Sequence, residues 1–228
     1  MRSILVAIYT LLFLLSFDLS YTYVSFHQRK EAILDCFVSI NSASGFVSNI
    51  EGDKVYVLTA AHVIDDDPEV KILVPFFNHK DEMIDFIESK GVVVEKNDEL
   101  DYAIVEIEDS FLSRHRRKVE VESHFRLEDK VISVGQPEFK VWVNEGTIGN
   151  ITEQIGHSAG LFYGSSGGPL FNDSYRVIGI NVSVSIKRVI LDKDRSFKYP
   201  ISFMSYATPI RKVMKDLGPE KVKKYFGG

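Results

Sequence analysis

Gly164-Ser165-Ser166-Gly167-Gly168-Pro169-Leu170 sets a serine hydroxyl among glycines, and Thr59-Ala60-Ala61-His62 lies about a hundred residues upstream. A serine hydroxyl is a poor nucleophile at neutral pH. It needs a base within hydrogen-bond reach and a third group that fixes the tautomer of that base. It also needs donors for a developing oxyanion. Glycines around Ser166 let the backbone adopt turns that a side chain opposes, so the N–H groups of Gly164 and Ser166 can converge on one point. A Gly/Ser cluster by itself is also what a surface turn looks like. The pairing with His62 turns the reading toward a serine hydrolase.

His62 follows the strand-like run Tyr56-Val57-Leu58-Thr59 and precedes Val63-Ile64-Asp65, where a strand ends and a helical turn begins. Asp101 stands directly ahead of Tyr102-Ala103-Ile104-Val105-Glu106-Ile107. A carboxylate at the mouth of such a strand can be held beside an imidazole. Taken singly, His62 reads as an ordinary core or surface histidine and Asp101 as a polar strand start.

Chain order separates the possible folds. Gly164, Ser166 and Gly168 satisfy Gly-x-Ser-x-Gly, the spacing of the α/β-hydrolase elbow, whose order is Ser, acid, His. The six histidines, His27, His62, His79, His115, His124 and His157, all precede Ser166, which excludes that order. The order Asp, His, Ser could be met by Asp35 or Asp53 ahead of His62. The fold that uses it needs strands alternating with long helices, and helical signals are too few here. His, Asp, Ser remains.

Three blocks carry a family resemblance: Thr59-Ala60-Ala61-His62-Val63, Asp101-Tyr102-Ala103-Ile104-Val105 and the heptapeptide around Ser166. They resemble the catalytic blocks of the trypsin-like serine peptidases, and the closer likeness is to the HtrA/Deg branch. Val134-Gly135-Gln136-Pro137, Val177-Ile178-Gly179-Ile180-Asn181 and Tyr206-Ala207-Thr208-Pro209-Ile210 extend it, so it runs from about Ala32 to Leu217. The resemblance implies His62 as general base, Asp101 as its orienting carboxylate, Ser166 as nucleophile, and an oxyanion hole from Gly164 and Ser166. It implies a pocket base at Gly160 and a substrate-holding strand through Ile180, Asn181 and Val182. With no acidic residue near Gly160, the expected pocket is uncharged and takes a small or medium apolar residue before the cut.

Departures from the family shape the expectation. Ser165 stands where relatives commonly carry Asp or Asn, which alters loop hydrogen bonding. The PDZ domain that usually follows in HtrA proteins is not expected within 228 residues, and no Ile-Val-Gly-Gly activation terminus is recognisable. The expected activity is serine endopeptidase, with protein or peptide substrates. The alternative is a catalytically silent protease-fold protein that binds extended peptides.

Composition agrees with an all-β fold of two packed six-stranded barrels, a chymotrypsin-like double barrel with a C-terminal helix. Sixteen Phe and ten Tyr among Val and Ile runs favour strands. Strands are expected over Leu34–Ile40, Gly45–Ile50, Lys54–Thr59, Val70–Val74, Glu82–Ile87, Val92–Glu95, Ala103–Ile107, Lys130–Val134, Val141–Ile151, Pro169–Phe171, Val177–Val184 and Lys198–Ala207. The final helix is expected to start with Thr208 as N-cap and Pro209 at its first position, to stop before Gly218, and to pack Ile210, Val213, Met214 and Leu217 on the second barrel.

Residues 1–26 read as a signal peptide or signal anchor, and 27–228 as the protease domain. Ile4 to Phe17 carries no charge, and Ile4 to Phe26 is long enough to span a bilayer, although Asp18 would cost roughly 2 to 3 kcal/mol near its centre. The expected location is membrane-anchored, or secreted and extracytoplasmic. The single Cys36 excludes an internal disulfide and reads as a core residue. No Cys or His pair has zinc spacing, so no metal or other cofactor is expected. A net charge of −5 gives no nucleic-acid signature. Lys221, Lys223 and Lys224 read as a solvated helix face. Of three sequons, at Asn150, Asn172 and Asn181, the last falls on the expected substrate strand, where glycosylation is not expected.

Overall fold

The computed structural model describes residues 33–64, 68–77, 83–136, 140–190 and 196–227, with 186–190 and 196–203 described by backbone alone. The expected targeting segment, residues 1–26, lies outside them. No helix among the described residues is long and apolar enough to cross a membrane.

Six antiparallel strands close the first barrel: β1 (Phe37–Ile40), β2 (Ala43–Glu51), β3 (Lys54–Thr59), β4 (Glu69–Phe77), β5 (Met83–Asn97) and β6 (Tyr102–Glu108), in the order β1-β2-β3-β6-β5-β4. Six more close the second: β7 (Lys130–Gly135), β8 (Trp142–Ile151), β9 (Ile155–His157), β10 (Pro169–Asn172), β11 (Val177–Ile190) and β12 (Ser196–Pro209), in the order β10-β11-β12-β9-β8-β7. Closure pairs each strand on both sides over the barrel itself, and β11 outruns β10 beyond it. β3 is buried on both faces from Val55 to Thr59, because one face fills the barrel and the other is covered. Tyr56 on that strand meets Tyr225 of the C-terminal helix, ring centroids 5.2 Å apart at 70°. One continuous apolar cluster joins Phe37, Phe46 and Ile104 of the first barrel to Val134, Phe171 and Ile180 of the second.

Several elements differ from the sequence expectation. Two strands foreseen over Glu82–Ile87 and Val92–Glu95 are one, β5, because Gly91 continues the ladder and lets the strand lie against β6. A Cβ there would stand 2.3 Å from Val105 Cγ1. β1 begins only at Phe37, with turn residues before it. β9, three residues long, is too short to show a period. A short helix, α1 (Ser110–His115), was not foreseen although its cap was visible: the Asp109 carboxylate accepts from Phe111 N at 2.8 Å and Leu112 N at 3.1 Å.

The C-terminal helix, α2 (Ile210–Phe226), corrects three details. Pro209 is its N-cap, with no side-chain cap bond, and Thr208 belongs to β12. At Gly218, φ is +74°, which breaks the helix after its first two turns. It resumes at Pro219, where a missing N–H costs nothing. The apolar face packs on both barrels rather than the second alone. Ile210, Val213 and Leu217 join the shared core, and Asn49 of β2 donates to Lys224 O at 2.7 Å. Cys36 is buried as expected, and burial pushes its thiol up to about 12.

His157, on β9, is 3% exposed, and neither ring nitrogen has a hydrogen-bond partner among the described residues. Burial disfavours its charged form and lowers its pKa to about 4. The unfolded chain therefore binds a proton near pH 6.5 that the folded protein refuses until about pH 4. Stability should be full above pH 6.5 and fall by on the order of 3 kcal/mol toward pH 4. Urea unfolding of the parent and of His157→Leu at pH 7 and pH 4.5 checks this. An equal pH slope in the two proteins would place the acid sensitivity elsewhere.

Candidate active site

β3 ends at Thr59, and a single 3-10 turn, Ala61–Val63, carries His62 to the surface between the barrels. The His62 ring remains half-exposed while Ala61 and Val63 anchor its turn in the core. Asp101 sits at the tip of the β5–β6 turn with φ of 55°, a left-handed conformation that Asp tolerates better than most residues. Its carboxylate lies 2.8 Å (Oδ2) and 3.0 Å (Oδ1) from His62 Nδ1 and accepts from His62 N at 3.0 Å. With Nδ1 on the carboxylate, Nε2 is the nitrogen turned to other work. The hydrogen bond to Asp101 raises the His62 pKa against the opposing effect of burial. Burial pushes the Asp101 carboxyl up, and the bonds from His62 outweigh it and hold the carboxyl below its usual range.

The loop that carries Asp101 is clamped from the C-terminal part of the chain. Thr208 Oγ1 donates to Leu100 O at 2.8 Å, which explains why that hydroxyl caps no helix. Tyr102 Oη and Asn97 Nδ2 both donate to Asp216 Oδ2 of α2, at 2.6 Å and 2.9 Å. Thr208→Val keeps the shape and removes the donor, so it should lower unfolding free energy by about 1 kcal/mol. Urea denaturation reads this, and an unchanged midpoint would show that the clamp carries no net stability.

Ser166 follows from the same packing. Its carbonyl accepts from Ser44 N at 2.9 Å, and Thr59 Oγ1 donates to Ser44 O at 2.7 Å, so the loop is stitched to the strand end that leads into His62. Gly167 has φ of +84°, and a Cβ there would fall 2.1 Å from both Ser44 O and Thr59 Oγ1. Only glycine allows this approach. The loop thus brings Ser166 beside the His62 turn, yet no hydrogen bond joins the Ser166 hydroxyl to the imidazole among the described residues. Such bonds are often long in unliganded enzymes and tighten with substrate.

The family model described as trypsin-like peptidase domain matches residues 43–180, a span holding His62, Asp101 and Ser166. The chain belongs to the trypsin-like peptidase family. Its family is one of peptidases. The serine protease Do-like HtrB of Bacillus subtilis (strain 168) is 28% identical over an alignment of 158 positions that covers 60% of this chain and 32% of that protein. The chain therefore spans about a third of that relative's length. A crystal structure of the serine endoprotease from Yersinia pestis superposes with a TM-score of 0.60 at 18% identity, over 87% of this chain and 66% of that one. That likeness concerns the fold, a chymotrypsin-like double barrel.

In this peptidase, the amide of Ser165 is consumed by Phe162 O at 2.9 Å, while the N–H groups on either side of it, at Gly164 and Ser166, donate to nothing among the described residues. Gly164 has φ of +92°. Ser165 itself is 3% exposed, and its hydroxyl accepts from Phe162 N at 3.3 Å. The hydroxyl closes the loop on itself. Gly160 presents a carbonyl that accepts from Asn144 Nδ2 at 2.9 Å and Ser133 Oγ at 3.3 Å.

The expected substrate strand needs adjustment. Ile180 is paired on both sides, with Pro169 of β10 and Thr208 of β12. Asn181 N donates to Gly168 O at 2.9 Å, and Asn181 O accepts from Gly167 N at 2.7 Å. Both residues brace the nucleophile loop with their backbones. The Asn181 side chain is wholly buried and donates to Pro169 O and Val134 O, which agrees with the expectation that this sequon is not glycosylated. Past Asn181, β11 has no partner from β10; Val182 falls at a register shift, and pairing with β12 resumes at Ser183. Sequence reasoning missed this shift because strand partners, unlike strand propensity, are set by where β10 stops.

Proposed function

We propose that this domain is a serine endopeptidase that cuts through a His62-Asp101-Ser166 triad and an acyl-enzyme. The observation that carries the reading is the carboxylate's grip on His62 Nδ1, at 2.8 Å. It leaves Nε2 to take the Ser166 proton as Oγ attacks the scissile carbonyl carbon. The carbonyl oxygen becomes an anion received by the two uncommitted amides of Gly164 and Ser166, each such donor being worth roughly 3 to 4 kcal/mol of barrier. Imidazolium then protonates the leaving amine, and the C–N bond breaks. Water, deprotonated by the same imidazole, releases the acyl group.

The substrate segment before the cut would add as a strand along β11 from Val182. Its last side chain would point toward Gly160, whose surroundings, Ser133 and Asn144, are polar and uncharged. A small or medium apolar residue before the cut fits such a pocket, and strict cleavage after Lys or Arg in a peptide-library digest would contradict it. Residues 1–26 would serve as targeting segment or anchor ahead of the 27–228 protease domain, giving a membrane-anchored or extracytoplasmic enzyme.

The edge of β11 that β10 leaves unpaired also suits a second reading, a protein that holds extended peptides without cutting them. A fluorophosphonate probe separates the two. Covalent labelling of the parent, absent in Ser166→Ala and His62→Ala, is expected of the peptidase. A folded parent that takes no label would sink the enzymatic reading.

A further inference from the structure

An apolar cleft of about 280 Å³ lies on the outer face of the first barrel, lined by Ser39, Leu73, Pro75, Met83, Phe86 and Gln136. Its origin is the register of three strands. Ser39 pairs with Leu73, and Pro75 pairs with Phe86, so their side chains share the face opposite the core residues Ile72 and Val74. A barrel exterior is ordinarily polar. Here Met83 and Phe86 remain 42% and 50% exposed with nothing over them among the described residues.

Gln136, which lines the cleft, is itself only 5% exposed. Its N–H donates to Ser44 Oγ at 3.0 Å, while its side-chain Oε1 has no hydrogen-bond partner among the described residues. A buried amide oxygen without a donor is costly, and a ligand N–H would relieve it. Gln136 also touches the proposed oxyanion donor: a Cβ on Gly164 would lie 2.6 Å from Gln136 O and 3.2 Å from Ser42 O.

These contacts give the cleft a direction. On one side of Ser166, Gly167 and Gly168 are bonded to Asn181 of β11, the strand whose edge opens at Val182. On the other side, Gly164 adjoins Gln136. An extended peptide that follows β11 up to the nucleophile and crosses it leaves past Gly164 toward this cleft, advancing about 3.3 Å per residue.

We propose that the cleft is a leaving-group subsite that takes an apolar side chain from the second or third residue after the scissile bond, with Gln136 Oε1 accepting a backbone N–H of that segment. The proposal rests on the peptidase reading for its polarity, and its test does not depend on turnover. The full-length chain carrying Ser166→Ala is titrated with two fluorescein-labelled, Ala-rich decapeptides. Both have Val before the scissile bond, and they differ only in Leu or Asp at the second and third positions after it. The Leu peptide should bind about tenfold more tightly, the effect of burying one leucine-sized side chain. Phe86→Ser should shrink that ratio below about threefold. Leu127→Ser, at an exposed leucine that lines no part of the cleft, should leave it intact.

Equal affinities for the two peptides would overturn the subsite, including the case in which the cleft is filled by the chain's own N-terminal residues. So would a ratio that Phe86→Ser does not change. Fluorophosphonate labelling of the parent, run in parallel, keeps the two readings apart. Labelling with equal affinities removes the subsite alone. No labelling with the ratio preserved removes the enzyme and leaves an apolar peptide-binding cleft.

Discussion

Ser166→Ala is expected to lower kcat on a cleavable peptide by about a million-fold while leaving peptide affinity and the unfolding midpoint nearly unchanged. The loop does not depend on the hydroxyl for its shape. It is held through Ser166 O on Ser44 N, Gly167 N on Asn181 O and Gly168 N on Ser165 O, all backbone bonds that alanine retains. Residual turnover above the uncatalysed rate should persist, because the amides of Gly164 and Ser166 remain to receive an oxyanion. A stopped assay with purified variant and parent measures it. A loss of less than about a hundredfold would show that another nucleophile does the work.

Asp101→Asn should cost about ten-thousand-fold in kcat, since an amide facing Nδ1 no longer fixes the tautomer that keeps Nε2 free as a base. The pH profile should move as well. In the parent, the hydrogen bond from His62 Nδ1–H to the carboxylate raises the His62 pKa, so the imidazole becomes a neutral base only at a pH above its ordinary 6.5. The acid limb of kcat/KM therefore lies above that value. Without the carboxylate the elevation is lost, and the limb shifts to lower pH even as the plateau falls. An acid limb in the Asp101→Asn variant that coincides with the parent's would show that the limb belongs to another group.

The sequence carried the fold through chain order and strand chemistry. The absence of any histidine after Ser166 eliminated one architecture, and short Val, Ile and Tyr runs between turns marked most strands. What escaped it was set by contacts between distant segments. Gly91 reads locally as a break and acts as a contact surface for Val105. Thr208 followed by Pro209 has every local mark of a helix start, yet its hydroxyl is claimed by Leu100 O, about a hundred residues earlier. The same division runs through the site. His62 and Asp101 were legible, being fixed by motif, and the structure brings them within 2.8 Å. Along the expected substrate strand, Ile180 and Asn181 are occupied by backbone neighbours that only topology reveals.

The clamps on the Asp101 loop bear on when this protein becomes dangerous to itself. The first barrel, complete by Glu108, can close early in synthesis, but Leu100, Asn97 and Tyr102 find their partners only at Thr208 and Asp216. The loop that carries the carboxylate therefore gains its last hydrogen bonds only when nearly the whole double barrel has been made. The proposed nucleophile, Ser166, comes later still than the imidazole and its carboxylate, between β9 and β10, so a chain still being made would hold base and carboxylate with no serine to activate.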